Sequence, residues 1–98
     1  MKTPVQIGDL VEGFLKTQPP ASRNKLKHAL RDLGEGKGEI CPLRDKLSGY
    51  CRLRVGEYRT IFQYVTSRTG PKCFCVFAET RDVVYEKFAA ILSEEGRL

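Results

Sequence analysis

The chain has 98 residues, of which 41% are apolar and 30% are charged, and its formal net charge is +5. This length is sufficient for one hydrophobic core, so we expect a single domain over residues 1–98. No apolar run approaches the roughly 18 residues that a membrane-spanning helix requires. Because the N-terminus also lacks a basic segment followed by an apolar one, no secretory leader is indicated and the sequence predicts a cytoplasmic protein.

The N-terminal third predicts a short strand and a helical hairpin. Residues 5–7 carry a weak strand signal, and Asp9 can cap a helix that runs to about residue 17. Pro19-Pro20 ends this helix, and Pro20 can be the first residue of the next one. Apolar residues at helical spacing then continue to residue 33, and Gly34 provides the C-terminal stop.

The rest of the chain predicts three strands and a last helix. Residues 34–49, rich in glycine, read as an irregular connection. Alternation and turn residues predict three antiparallel strands, at about residues 50–55, 58–66 and 72–79. Tight turns are expected at Gly56-Glu57 and near Gly70. Asp82 then caps a helix over about residues 83–95.

Residues 50 to 62 are the most informative stretch of the chain. Successive side chains of a strand point to opposite faces, so one face of the first strand is apolar and the other carries Tyr50, Arg52 and Arg54. Arg59 lies early on the returning strand, where it is placed to join the two arginines. A strand face with this composition is suited to a negatively charged ligand.

The positive charge is concentrated in the central segment. Residues 42–81 contain eight basic and three acidic residues, whereas the rest of the chain contains nine of each. The basic residues of this segment are Arg44, Lys46, Arg52, Arg54, Arg59, Arg68, Lys72 and Arg81. Such a field favours a phosphate backbone or an acidic protein partner, and charge alone leaves both open.

The cysteines do not have the spacing of a metal site. The four of them form no Cys-x-x-Cys pair, and the single histidine, His28, is distant in sequence. We therefore expect no bound metal. Cys73 and Cys75 should share one face of a strand as reduced core thiols.

Two motifs carry a resemblance to a known family. The first, over residues 46–62, is KLSGYCRLRVGEYRTIF, and the second, over residues 80–86, is TRDVVYE. With the preceding helical hairpin, they resemble the RelE/ParE superfamily of bacterial toxins over roughly residues 20–90. The resemblance implies a small α+β fold, in which an N-terminal helical hairpin packs on a twisted antiparallel sheet of three to four strands and a C-terminal helix follows.

The resemblance also implies a function. Such proteins are the toxins of type II toxin–antitoxin pairs, and a small, partly acidic antitoxin neutralises them. RelE-like members cut mRNA in the ribosomal A site, which would make the ribosome and mRNA partners of this chain. ParE-like members instead poison DNA gyrase without nuclease activity. A degenerate member that binds RNA or antitoxin without cutting is the third interpretation.

Five candidate catalytic residues follow from the resemblance: Arg52, Arg54, Arg59, Arg81 and Tyr85. The first two stand where RelE-type nucleases carry cationic residues, and the last two match an arginine and a tyrosine near the final helix. Just before Arg81 this chain has Glu79-Thr80, where many relatives have a histidine or another basic residue. The identity of a general acid or base therefore stays open.

Arginine suits only part of the chemistry that RNA cleavage requires. Its planar guanidinium can form two hydrogen bonds to one phosphate, but a pKa above about 12 makes it a poor proton donor or acceptor at pH 7. Tyr85 is therefore predicted to orient the reacting nucleotide. No cofactor is expected to take part in the reaction. Four further residues are predicted to bind substrate: Arg44, Lys46, Tyr50 and Tyr58. For the two tyrosines, packing in the core is the competing interpretation.

Overall fold

A computed structural model describes residues 3–96 of the chain. In chain order, the strands and α-helices of this part are β1 (Val5–Ile7), α1 (Asp9–Thr17), α2 (Pro20–Leu33), β2 (Glu39–Pro42), β3 (Cys51–Val55), β4 (Tyr58–Ser67), β5 (Gly70–Thr80) and α3 (Val84–Glu94). A single turn of 3-10 helix, Asp45–Leu47, precedes β3. None of the helices in the described part is long and apolar enough to span a membrane.

The strands form one sheet with the order β1-β5-β4-β3-β2. β1 runs parallel to β5, and the other neighbouring strands are antiparallel. The predicted α+β class, with an N-terminal helical hairpin and a C-terminal helix, is confirmed. The sheet differs from the predicted one in having five strands and one parallel pair.

The prediction of an irregular connection over residues 34–49 was wrong at Glu39–Pro42. This segment forms β2, in which Ile40 is paired with Leu53 and Cys41 with Arg52. Four residues with one large aliphatic side chain and a terminal proline show too little alternation to indicate a strand. The backbone hydrogen bonds of the neighbouring β3 stabilise β2, and that partner is distant in sequence.

The sheet is covered on both faces. α1 and α2 pack on one face, where Leu53 and Val55 of β3 are buried. α3 packs on the other face, over Ile61 and Phe77. The opposite burial of alternate β3 residues confirms that Arg52 and Arg54 share the α3 face with Tyr50.

The turn between β3 and β4 positions the end of β5. Gly56 adopts a φ of 60°, which supports the predicted two-residue turn at Gly56-Glu57. The backbone N–H of Arg81 donates a hydrogen bond of 2.8 Å to the carbonyl oxygen of Glu57. The beginning of α3 is thereby held beside the basic end of β3.

Replacing Gly38 by alanine should destabilise the fold. Gly38 has a φ of 114°, and an added Cβ would lie 2.8 Å from Cδ1 of the buried Leu53. We expect Gly38→Ala to lower the free energy of unfolding by about 1–3 kcal/mol, because strained φ and a close contact act together. Equilibrium unfolding in urea measures the change.

Gly13→Ala is the matched control. Gly13 lies within α1, and an added Cβ there has nothing within 4 Å. This substitution should raise the free energy of unfolding by about 0.5–1 kcal/mol, because alanine loses less backbone entropy in a helix. Equal effects of the two substitutions would contradict the assigned role of Gly38.

The core thiols should be protected from alkylation. Cys73 and Cys75 are free and buried on the same face of β5, as predicted. Burial, with a smaller contribution from Cys73, raises the pKa of Cys75 to about 12. At pH 8 about one Cys75 in 10⁴ is then a thiolate, so Cys75 should react only when the fold opens. The exposed Cys41 should react first.

Thiol titration of the folded protein with a disulfide reagent tests this order. Cys41→Ser should remove the fast phase, and Cys75→Ser should leave it unchanged. The pKa of Cys75 is higher in the folded state than in the unfolded state. The contribution of its protonated thiol to the free energy of unfolding is therefore present below about pH 8.5 and is lost as the pH rises toward 12. Fast modification of Cys75 at pH 8 would contradict this account.

Candidate functional site

A hydrogen bond between Arg52 and Tyr85 joins β3 to α3. Nη1 of Arg52 donates to Oη of Tyr85 over 3.0 Å, although the two residues are 33 positions apart. Both side chains are half-buried. This hydrogen bond is the main cause of the raised pKa of Arg52, so the guanidinium stays charged at any physiological pH. The structure thus brings together two of the five candidate catalytic residues.

Arg54 lies two residues further along the same strand face and is exposed. Its Nε is 3.4 Å from Oε2 of Glu39, which is its register partner on β2. An exposed pair of this kind contributes less than about 1 kcal/mol, so an incoming phosphate can displace the carboxylate at low cost. Sequence reasoning missed Glu39, because its position depends on the pairing of β2 with β3.

Arg59 is placed differently from the other arginines. It is paired with Arg54 in the sheet, but its side chain is only 8% exposed. Nη1 donates to the carbonyl oxygens of Gly56 (2.8 Å) and Tyr58 (2.9 Å). These contacts hold the β3–β4 turn. The predicted catalytic role of Arg59 stays a prediction.

Arg81 and Glu79 lie where β5 passes into α3. Arg81 is exposed, and its Nε is 3.8 Å from Oδ1 of Asp82. Glu79 is the register partner of Arg59, and its Oε2 is 3.6 Å from Nζ of Lys87. Sequence reasoning missed Lys87, because its contact with Glu79 joins α3 to β5. Glu79 is therefore engaged by a lysine rather than by Arg81.

The two predicted substrate-binding tyrosines pack in the two cores. Tyr58 lies on the hairpin face, where its ring meets Phe14 at 5.8 Å and its hydroxyl donates to Oε1 of Gln18 over 3.1 Å. It is thus separated from Arg52 by the sheet. Tyr50 lies on the α3 face, with its ring 5.0 Å from that of Phe88 in an edge-to-face contact. Both tyrosines have the contacts that the packing interpretation predicted.

Arg44 precedes the short 3-10 turn and Lys46 lies within it, and both residues are exposed. Their neighbours Leu43 and Leu47 pack into the apolar cluster under α3, so this segment lies on the α3 side of the sheet. Two further cations therefore flank the face that carries Arg52. Substrate binding by these two residues stays a prediction.

The α3 face is suited to binding an anion. Arg52, Arg54 and Arg81 can supply guanidinium donors for phosphate oxygens, and Tyr85 adds a hydroxyl. The imidazole of His28 is on α2 and lies 3.5 Å from Asp32, away from this face. Among residues 3–96 no group of three histidine, cysteine or acidic side chains is arranged to hold a metal ion.

Solved structures include proteins with this fold. The chain is similar to a chain of the RelBE2 toxin–antitoxin complex from Mycobacterium tuberculosis, with 22% identity and a TM-score of 0.68 over 83% of this chain and 100% of the other. It is also similar to the YoeB/ParE toxin from Agrobacterium tumefaciens, with 15% identity and a TM-score of 0.63 over 81% and 99%. The chain has a RelE-like fold.

The likeness to these structures confirms the fold that the two motifs implied. No family model matches the chain, and no curated protein matches it. At identities below 25%, the shared property is the arrangement of helices and strands. The residues of the α3 face must therefore be judged by their own geometry.

If the α3 face binds RNA, removing Arg52 or Arg54 should weaken that binding in a salt-dependent way. If about four cations neutralise phosphates of a single strand, log affinity should fall with log salt at a slope near −3, and each lost cation should reduce the slope by about 0.7. We expect this reduction in Arg52→Gln and Arg54→Gln. Fluorescence anisotropy with a labelled ten-nucleotide RNA, at several salt concentrations, measures the slope for the wild type and for each variant.

Arg68→Gln and Arg59→Gln are the controls for this experiment. Arg68 is exposed in the β4–β5 turn, away from the α3 face, and should leave the slope unchanged. Arg59→Gln should lower stability rather than the slope, because its guanidinium binds backbone carbonyls. A uniform effect of all four substitutions would show that binding depends on net charge alone.

Proposed function

We propose that this protein is the toxin of a type II toxin–antitoxin pair and acts as a ribosome-dependent mRNA endonuclease. The hydrogen bond between Arg52 and Tyr85, on a face that also carries exposed arginines, is the observation that carries the proposal. The two solved structures named above are a toxin–antitoxin complex and a toxin, which supports the same proposal. The protein would act in the cytoplasm, with mRNA, the ribosome and a small, partly acidic antitoxin as partners.

The proposed cleavage is an attack of a ribose 2′-hydroxyl on the adjacent phosphorus. The new bond from the 2′-oxygen to phosphorus forms as the bond to the 5′-oxygen breaks, which leaves a cyclic phosphate and a 5′-hydroxyl. Arg52, Arg54 and Arg81 would stabilise the charge that grows on the non-bridging oxygens. Such stabilisation by oriented donors requires neither a metal nor a cofactor.

Tyr85 has a separate task in this proposal. Its oxygen accepts the hydrogen bond from Arg52, so its own O–H is free to donate to the substrate. It would orient the phosphate and support the departing 5′-oxygen. The proton of the 2′-hydroxyl would pass to a group of the ribosome, since arginine is a poor base. The departing 5′-oxygen would take its proton from the Tyr85 hydroxyl, which solvent then reprotonates. Cleavage of free RNA should then be feeble.

Inhibition without cleavage is the alternative. The α3 face has no histidine within the described residues, and Glu79 is engaged by Lys87. A ParE-like inhibitor of DNA gyrase, or a protein that only binds RNA or antitoxin, would need the cations of this face but no proton transfer. These two alternatives predict different consequences of induced expression.

Induced expression in bacteria, with wild type beside Arg81→Ala and Tyr85→Phe, tests the proposed function. Wild type should arrest growth and produce mRNA ends in the ribosomal A site, as detected by toeprinting. Tyr85→Phe keeps the ring and removes the hydroxyl, so it should lower cleavage by about 10- to 100-fold if the hydroxyl acts in the transition state. Arg81→Ala should lose cleavage as well.

Controls separate the chemistry from folding. Arg68→Ala should behave as wild type, and the thermal unfolding of each variant should be unchanged. Growth arrest without mRNA cleavage, together with loss of supercoiling activity, would replace the nuclease by gyrase inhibition. Strong cleavage of free RNA that survives in Tyr85→Phe would refute the role assigned to Tyr85.

A further inference from the structure

A pocket of about 200 Å³ lies between the beginning of α1 and the end of α3. α3 contributes Phe88, Ile91 and Leu92, which share one stripe because residues three and four positions apart lie on the same side of a helix. α1 contributes Leu10 from its first turn. Since Phe88 and Leu92 belong to the buried cluster under α3, the pocket lies on that side of the sheet. We call it the α1–α3 pocket.

Leu10 gives the α1–α3 pocket an exposed apolar wall. Its side chain is 51% exposed, and it belongs to neither of the two buried clusters. Ile7 and Tyr64 are the other large apolar residues that are exposed within residues 3–96, and neither of them lines this pocket. An exposed leucine beside an apolar pocket can contact an apolar side chain of a partner.

The α1–α3 pocket is acidic, although the protein is basic. Among residues 3–96, its lining includes Asp9 and Glu95 but no lysine or arginine. The whole chain, in contrast, has 17 basic and 12 acidic residues. Glu94, which is exposed, precedes Glu95 at the end of α3, and none of the ion pairs within residues 3–96 involves Asp9. Negative charge therefore surrounds an apolar surface at this place.

Helix stability does not explain the acidic residues at the end of α3. The C-terminal end of a helix carries a partial negative charge, so basic side chains stabilise it and acidic ones destabilise it. In the described structure, the last turn of α3 has no basic residue, and Glu94 and Glu95 stand at its end. Asp9 differs, because an acidic residue in the first turn of α1 stabilises that helix. Cations of a partner would offset the repulsion at the end of α3.

We propose that the α1–α3 pocket binds a basic segment of a partner protein that carries one large apolar side chain. The apolar side chain would enter the pocket beside Leu10 and Ile91, and lysines or arginines next to it would meet Asp9, Glu94 and Glu95. An RNA strand is disfavoured, because its phosphates would approach carboxylates.

The partner that fits this description is a ribosomal protein, since such proteins are rich in lysine and arginine. Its identification rests on the proposed function, whereas the chemistry of the bound segment rests on the pocket. The pocket is separate from the basic residues that are proposed to hold mRNA, because its lining contains none of them. One protein could therefore engage RNA through its cations and a basic protein through its carboxylates.

A defined peptide tests the chemistry of the pocket. The probe is a fluorescein-labelled 11-residue peptide in which lysine alternates with serine around one central phenylalanine, and its binding is measured by anisotropy. Replacing the phenylalanine of the peptide by serine should weaken binding at least about fivefold, because the apolar contact is lost. Asp9→Asn in the protein should weaken binding about three- to tenfold, because it removes a charge from the pocket. Equal binding of the two peptides would overturn the proposal.

Matched substitutions control for net charge and for exposed apolar surface. Glu12→Gln removes the same charge from the first turn of α1, but Glu12 does not line the pocket, so the effect should be less than about twofold. Leu10→Ala should weaken binding more than Ile7→Ala does, since Ile7 is exposed elsewhere. Unfolding curves first show that all variants are folded. Equal weakening by Asp9→Asn and Glu12→Gln would refute a role for the pocket.

Photo-cross-linking on purified ribosomes tests the identity of the partner. A benzophenone-bearing amino acid in place of Leu10 should cross-link to a ribosomal protein, within a segment rich in lysine or arginine. The same group in place of Ile7 should not give that product. Cross-linking from position 10 to ribosomal RNA would overturn the proposal. Self-association of the protein alone that Asp9→Asn abolishes would also overturn it, since the occupant would then be a second copy of the chain.

The outcomes separate this inference from the proposed function. Binding of the basic peptide that depends on Asp9 and Leu10 supports the pocket even if no mRNA is cut. Conversely, A-site cleavage by a protein that does not bind the basic peptide would overturn the pocket and leave the nuclease.

Discussion

The alternation of β3 is the constraint on which the site depends. Leu53 is 1% exposed and Val55 is 6% exposed beneath the helical hairpin, so Arg52 and Arg54 must point to the opposite face. A slip of one residue in the pairing of β3 would bury both guanidiniums and expose the core leucine. Burial of two apolar side chains on one face therefore fixes the direction of two cations on the other.

The β3–β4 turn positions the beginning of α3 relative to β3. Arg59 binds two carbonyl oxygens at the turn, and the N–H of Arg81 binds the carbonyl of Glu57. The end of β5 is thereby held at the turn, and the first helical turn of α3 brings Tyr85 to Arg52. Arg59 contributes to the site through the backbone that it holds, while Arg52, Arg54 and Arg81 present their guanidiniums directly.

Positive charge on the two sides of the sheet has different surroundings. On the α3 face the guanidiniums of Arg52 and Arg54 lie along β3, and Arg52 contacts the phenol of Tyr85, an arrangement suited to phosphate oxygens. On the hairpin side of the sheet, Lys16, Lys27 and Arg31 stand beside the edge of β1 and the partly exposed Ile7.

The sequence by itself determined the three helices, the strands β3 to β5 and the face shared by Arg52 and Arg54, because periodicity and turn residues are local signals. The two motifs also implied the class of fold that the structure has. Only the tertiary structure decided that Glu39–Pro42 is a strand, that Tyr85 meets Arg52, that Arg59 is buried and that Lys87 engages Glu79. Each of these depends on a partner distant in the chain, and local propensity carries no information about contacts that form only when the elements pack together.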